Sequence, residues 1–186
     1  MVYLREIRWH GRGGQGAWTA SELLARAALR EGKHIQSFPE FGPERMGAPV
    51  NAFTRISDEP INLHCTIYSP DVVAVLDPTL LKTVPVTEGL KKDGVLVINT
   101  RETSAQLARQ LNFPKQQLWT VPATEISVQI LGRPITNTAM LGAVARAARI
   151  VDLENVKEAV KERFPPKIAE RNIEIVERAH KEVKSG

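Results

Sequence analysis

Cysteine is almost missing from this chain: Cys65 is the one thiol in 186 residues. A single thiol excludes an intrachain disulfide. It also excludes an iron–sulfur cluster held by this chain alone, which takes about four thiolates. In "INLHCTIYSPD" Cys65 is expected on a short strand, pointing away from its neighbour His64, as a buried structural cysteine. The four histidines, His10, His34, His64 and His180, show neither helical i, i+4 pairing nor zinc-ligand spacing, so no metal site is expected. No apolar run approaches the roughly 20 residues that cross a bilayer. Charges recur every few positions in "MVYLREIRWH", which leaves no signal-peptide core and no lipidation signal. A cytoplasmic chain without a membrane partner is expected. Aromatic residues make up only 5% and are not interleaved with the bases, which speaks against a nucleic-acid partner.

The composition that is present, 42% hydrophobic and 25% charged, is that of an ordinary globular protein, and residues 1–186 are expected to form one domain. The formal net charge is +4. From Asp152 onward eight bases meet eight acids, so the excess lies wholly in the preceding part. Several of its bases (Arg8, Arg12, Arg45, Arg133) lie near glycines, which suits a phosphate-bearing ligand or an acidic partner.

Hydrophobic periodicity predicts a first strand over residues 3–9 and a helix over 17–31. On that helix Ala17, Ala20, Leu24, Ala27 and Ala28 share one face, and Gly32 ends it. Strands are expected over 34–41 and 49–57, with a shorter pair around Ile61 and Ile67. "DVVAVLD" (71–77) and "GVLVINT" (94–100) have the continuous apolar pattern of parallel strands buried on both faces. Pro78 opens a short helix, residues 101–112 form a crossover helix, and "LWTVPA" (118–123) is another strand. Helices over 138–150, 153–163 and 167–184 complete the chain. On the last, Glu174 with Arg178 and Glu177 with Lys181 are spaced to pair on a solvated face. The expected class is α/β: a three-layer, Rossmann-like, mostly parallel sheet with C-terminal helices.

Between the first strand and first helix stands "WHGRGGQG", with Gly11, Gly13 and Gly16 at the spacing of a dinucleotide-binding turn. Glycines there permit left-handed backbone, expected at Gly13 and Gly14, and let backbone N–H groups and a helix N-terminus approach an anion. A tight turn without a ligand is the plain alternative. Three features oppose a nicotinamide dinucleotide. The acid expected about 20 residues on has one candidate, Glu40, flanked by proline. Arg12 and Gln15 stand where such loops carry small residues. There is no room for a separate substrate domain, and no acid–base pair for hydride transfer stands out. A self-contained NAD(P)-binding oxidoreductase is thus the second reading.

The ordered set "GRGGQG", "FPEFGPERMGAPV", "SPDVVAVLDPTLL" and "NTAMLGAVA" resembles the gamma subunit of 2-oxoacid:ferredoxin oxidoreductases, the pyruvate and 2-ketoisovalerate enzymes. The similarity runs to about Val151. Related subunits read more like "YGPEMRGG" in the second motif, where this chain has Arg45-Met46-Gly47-Ala48. The resemblance implies a subunit without catalytic residues of its own, inactive when isolated, in a complex that oxidatively decarboxylates a 2-oxoacid to acyl-coenzyme A and reduces ferredoxin. It implies alpha, beta and ferredoxin-like delta subunits as partners, with thiamine diphosphate and iron–sulfur clusters on those partners. It further implies that Gly11, Arg12, Gly13, Gly14, Gln15 and Gly16 contact coenzyme A. A second loop (Phe41, Gly42, Pro43, Glu44, Arg45 and Gly47) is a ligand or subunit contact, near the first if strands one and two are parallel neighbours; a plain hairpin turn is its alternative.

Overall fold

The computed structural model describes residues 3–40 and 46–186. Seven strands form one sheet in the order β2-β3-β1-β4-β5-β6-β7. They are β1 (Leu4–Arg12), β2 (His34–Pro39), β3 (Pro49–Ser57), β4 (Val72–Val75), β5 (Val95–Asn99), β6 (Leu118–Val121) and β7 (Lys184–Ser185). Strands β1, β4, β5 and β6 pair in parallel, β3 runs against both β1 and β2, and β7 runs against β6. Five strands therefore share one direction, and the sheet is mostly parallel. One expectation fails here: β1 and β2 are not neighbours, because antiparallel β3 lies between them.

Alternation along the central strands builds the two cores. Val72, Ala74 and Val97 point to one face, while Val73, Val75, Leu96 and Ile98 point to the other. Strands buried on both faces read as continuous apolar runs, which is why β4 and β5 were legible. The first face is covered by helices α1 (Ala17–Arg30), α3 (Ala123–Leu131), α4 (Asn137–Ala148), α5 (Leu153–Arg163) and α6 (Pro166–Glu182). The second is covered over β4–β6 by α2 (Ser104–Leu111) and the 3-10 turn Pro78–Lys82, through Leu80, Leu107 and Ala108. These are three layers, thicker on one side.

The predicted alanine face of α1 is the buried one, and Ser21 on the same helix fastens it to the sheet. Ser21 Oγ donates to the Phe53 carbonyl at 2.6 Å and lies 2.8 Å from Thr54 Oγ1. Thr54 Oγ1 in turn accepts from the indole of fully buried Trp9 at 3.0 Å. Gly142 lets α4 lie against α6, since a Cβ there would sit 2.3 Å from the Val176 carbonyl oxygen.

Three readings need correction. Residues 60–69 contain no strand, and Cys65 is exposed there. The segment is instead held by buried Arg55, whose Nη2 donates to the carbonyls of Cys65 and Thr66 at 2.9 and 3.2 Å. The spaced acid–base pairs of α6 are not the ones formed: Arg178 pairs with Glu182, and Glu177 with Lys157 of α5. Helix α3 and the short β7 were not anticipated. Pro122 before α3 and left-handed Gly132 after it were its readable boundaries. Among the described residues no helix is long and apolar enough to cross a membrane.

Candidate functional site

The chain leaves β1 through α1 on one face and β4 through the Pro78–Lys82 turn on the other. In α/β sheets the crevice at such a reversal, beyond the carboxyl ends of the strands, is where ligands bind. Here that place is the glycine loop. Gly11 and Arg12 finish β1, a turn follows, and Gly16 caps α1 with φ +77°. Gly14 has φ +92° and Gly13 does not share this conformation, so the left-handed residues are Gly14 and Gly16. The two differ in surroundings. A Cβ on Gly14 would meet nothing within 4 Å, whereas one on Gly16 would lie 2.6 Å from the Asn137 amide nitrogen at the start of α4.

Arg12 and Gln15 are committed to the protein. Arg12 Nε donates to Asp77 Oδ2 (3.1 Å), Nη1 to the Gly47 carbonyl (3.0 Å) and Nη2 to Thr79 Oγ1 (2.8 Å). Gln15 Nε2 donates to the same Asp77 oxygen (2.8 Å), and its Oε1 accepts the Arg12 N–H (2.8 Å). The other Asp77 oxygen caps the 3-10 turn, accepting from Thr79 N (2.9 Å) and Oγ1 (2.6 Å). Burial works to raise the Asp77 pKa, but the hydrogen bonds from Thr79 and Gln15 and the charge of Arg12 outweigh it and hold the carboxyl below its ordinary value.

The second loop meets the first through backbone. Gly13 N–H donates to the Ala48 carbonyl (2.9 Å) and Gly47 N–H to the Gly13 carbonyl (3.1 Å). Gly47 is thus brought to the glycine loop even though β3 separates β1 from β2. Phe41, Gly42, Pro43, Glu44 and Arg45 lie outside the described residues.

A cleft of about 420 Å³ opens beside this junction, lined by Gly13, Gly14, Gly16, Trp18, Glu40 and Met46 among others. Trp18, 55% exposed, and Met46 form its apolar rim. Glu40 is held by Asn51, whose Nδ2 donates to it at 2.6 Å. The N–H groups of Gly14, Gly16, Ala17, Trp18 and Thr19 have no acceptor among the described residues, the ladder of α1 begins with Ala20 N–H on the Gly16 carbonyl (3.0 Å), and no acid occupies the first turn. The arrangement presents hydrogen-bond donors and a helix N-terminus on one wall, which is binding chemistry for an anionic group. Trp18, Asp77, Thr79 and Asn137 were missed from sequence. The signal for Asp77 was the strand-end "DP", an acid placed to cap a proline-initiated turn.

Among the described residues no cluster of three or more His, Cys, Asp or Glu could hold a metal ion. The nicotinamide reading also loses ground. Glu40 follows β2, which β3 separates from β1, whereas a ribose-binding acid belongs at the end of the strand beside the first.

Residues 6–182 match the pyruvate ferredoxin/flavodoxin oxidoreductase family. The chain belongs to this family. It is 55% identical over 174 residues to the pyruvate/ketoisovalerate oxidoreductases common subunit gamma of Thermococcus kodakarensis, covering 94% of each. The crystal structure of pyruvate oxidoreductase subunit PORC from Thermotoga maritima matches with a TM-score of 0.87 and 42% identity over 98% of both chains. This gamma-type subunit also shares its fold, at a TM-score of 0.74 and 19% identity, with 30% of a chain of 2-oxoglutarate:ferredoxin oxidoreductase from Magnetococcus marinus, a structure with 2-oxoglutarate, coenzyme A and succinyl-coenzyme A bound. That match covers 95% of the present chain. The chain is a gamma subunit of a pyruvate or related 2-oxoacid ferredoxin oxidoreductase.

Proposed function

We propose that this gamma subunit supplies part of the coenzyme A site of its complex, through the loop from Gly11 to Gly16 and the first turn of α1. The observation that carries the reading is the row of backbone N–H groups without acceptors among the described residues, at Gly14, Gly16, Ala17, Trp18 and Thr19, all of which line the cleft between the glycine loop and residues of β2 and β3. Coenzyme A brings a diphosphate and a ribose phosphate. A helix N-terminus with free N–H groups suits the diphosphate. In this reading Gly13, Gly14 and Gly16 let the ligand approach the backbone, while Arg12 and Gln15 shape the loop beside it.

The chain works as a component of the assembly, without catalytic residues of its own and inactive in isolation. It oxidises no 2-oxoacid unless joined by alpha, beta and ferredoxin-like delta subunits, with ferredoxin as the final electron acceptor. The iron–sulfur clusters belong to those partners, because one cysteine cannot ligate a cluster, and thiamine diphosphate is assigned to them by the family resemblance. The second loop, residues 41–47, contributes a ligand or subunit contact, and the complex works in the cytoplasm.

Gly14→Val in the assembled enzyme tests the reading. Its Cβ would enter open space, so the side chain obstructs the cleft rather than the core. Left-handed strain adds about 1–3 kcal/mol. The apparent KM for coenzyme A should rise at least tenfold, with assembly checked by sizing. A correctly assembled variant with the parent KM would show that the loop is only a turn.

A further inference from the structure

We propose that Asp77 is a positioning residue that bolts the glycine loop to β4 and so sets the affinity of the complex for coenzyme A. This inference rests on the reading of the loop as part of the coenzyme A site. Asp77 itself is not among that loop's residues and lies two residues beyond the end of the neighbouring parallel strand β4, as the N-cap of the Pro78–Lys82 turn.

The geometry carries it. One carboxylate oxygen accepts from both Arg12 Nε and Gln15 Nε2, at 3.1 and 2.8 Å, so the two polar side chains of "GRGGQG" converge on a single atom. Arg12 then reaches on to Gly47 and Thr79, while Gln15 closes back on the Arg12 N–H. The loop is thereby tied at once to β4, to the Pro78–Lys82 turn and to the second loop. Between the two anchored side chains, Gly13 is already paired through its backbone with Ala48 and Gly47, but Gly14 has neither a side chain nor an acceptor for its N–H among the described residues. Backbone donors bind an anion well only if their directions are fixed beforehand, and a glycine cannot fix itself. Asp77 supplies that fixity from outside the cleft: it does not line the cleft, while Arg12, Gly13 and Gly14 do. Charge-assisted bonds to a partly buried carboxylate are the strong class of hydrogen bond, which suits an anchor.

Asp77→Asn separates the roles. Its remaining oxygen still caps Thr79, because asparagine is as good an N-cap as aspartate, but the charge and the shared acceptor for Arg12 and Gln15 are lost. In the assembled complex the KM for coenzyme A should rise about tenfold, with kcat at saturating coenzyme A within twofold of the parent. Amide hydrogen exchange over residues 12–18 should quicken without coenzyme A present, and exchange in β5 should not. Asp77→Glu should recover part of both effects. Arg12→Lys, which cannot reach three acceptors, is the second variant should Asp77→Asn not assemble, and the same paired change is expected of it. Parent-like exchange over 12–18 overturns the bolt. Quickened exchange with the parent KM, while Gly14→Val raises the KM, overturns the link from bolt to affinity. If neither Asp77→Asn nor Gly14→Val moves the KM, the coenzyme A reading itself falls; the exchange result then still decides whether Asp77 holds the loop.

Discussion

The second face of the sheet is built in two ways. Over β4, β5 and β6 it is aliphatic: Val73, Val75, Leu96, Ile98 and Leu118 pack under Leu80 and Leu107. Over β1 and β3, a strand or two away, the same face carries buried Arg8, His10 and Arg55. The difference follows from what lies on top. A helix satisfies its own backbone, so the surface beneath it can be hydrocarbon. The antiparallel half is covered by irregular chain, whose carbonyls need donors. Arg55 donates to the carbonyls of Cys65 and Thr66, and Arg8 to those of Val86 and Glu88. Buried arginines there do the work that helical hydrogen bonds do next door. The cleft proposed to take coenzyme A opens on the antiparallel side, between the glycine loop and residues of β2 and β3.

The largest way to break this contrast is to remove one polar strut. Arg55 is 1% exposed and is also paired with Glu6 at 2.9 Å. Arg55→Met should cost about 3–5 kcal/mol, since one truncation strands a carboxylate and several carbonyls at once. Chemical denaturation of the purified chain measures it. The expected change is in the denaturation midpoint, with early loss of protection in residues 60–69.

A smaller effect should appear as pH dependence. Burial, and then the charge of Arg8, lower the pKa of His10 from 6.5 to about 4. Neutral His10 accepts a hydrogen bond from Arg8 Nε at 3.0 Å. Between those two pKa values the unfolded chain binds a proton that the folded chain refuses. His10 therefore contributes stability that is fully present above pH 6.5 and lost as pH falls toward 4. The swing is of order 3 kcal/mol. His180, also lowered by burial and then by Arg146, acts in the same direction, so the informative quantity is a difference between proteins. His10→Gln, which retains an acceptor for Arg8, should flatten the acid limb of a stability–pH curve relative to the parent. An unchanged limb would show that His10 is not held neutral.

The smallest effect should come from the aliphatic half. Ile98→Val removes one methylene from a fully buried site and should cost about 0.5–1.5 kcal/mol, independent of pH. Set beside Arg55→Met, it sharpens the contrast between a face that tolerates small losses and one that loses several partners together.

Much of this architecture was legible because it depends on period and punctuation. The alanine stripe of α1, the β-branched runs of β4 and β5 and the glycine loop all have local causes. What was missed depends on partners distant in sequence. Residues 60–69, with Ile61 and Ile67, resemble a strand pair, but Arg55 takes up the carbonyls of Cys65 and Thr66 and no ladder forms. That same bond leaves Cys65 on the surface. The insertion of β3 between β1 and β2 is also a long-range choice, and it removes the neighbour relation on which a ribose-binding Glu40 would depend. Within the site, the loop's glycines were readable. That Arg12 and Gln15 face Asp77 was not, because the three meet only when β1 and β4 pair. Nor does the sequence show that each of the three guanidinium nitrogens of Arg12 donates within the protein.

The most direct test is the equilibrium affinity of the assembled complex for coenzyme A, measured by calorimetry for the parent and for Gly14→Val. Binding should weaken at least tenfold with subunit composition unchanged, because Gly14 lines the cleft and the new side chain meets no protein atom within 4 Å of its Cβ. Equal affinity in a correctly assembled variant would contradict it, and the glycine loop would then be a strand-to-helix turn that coenzyme A never touches.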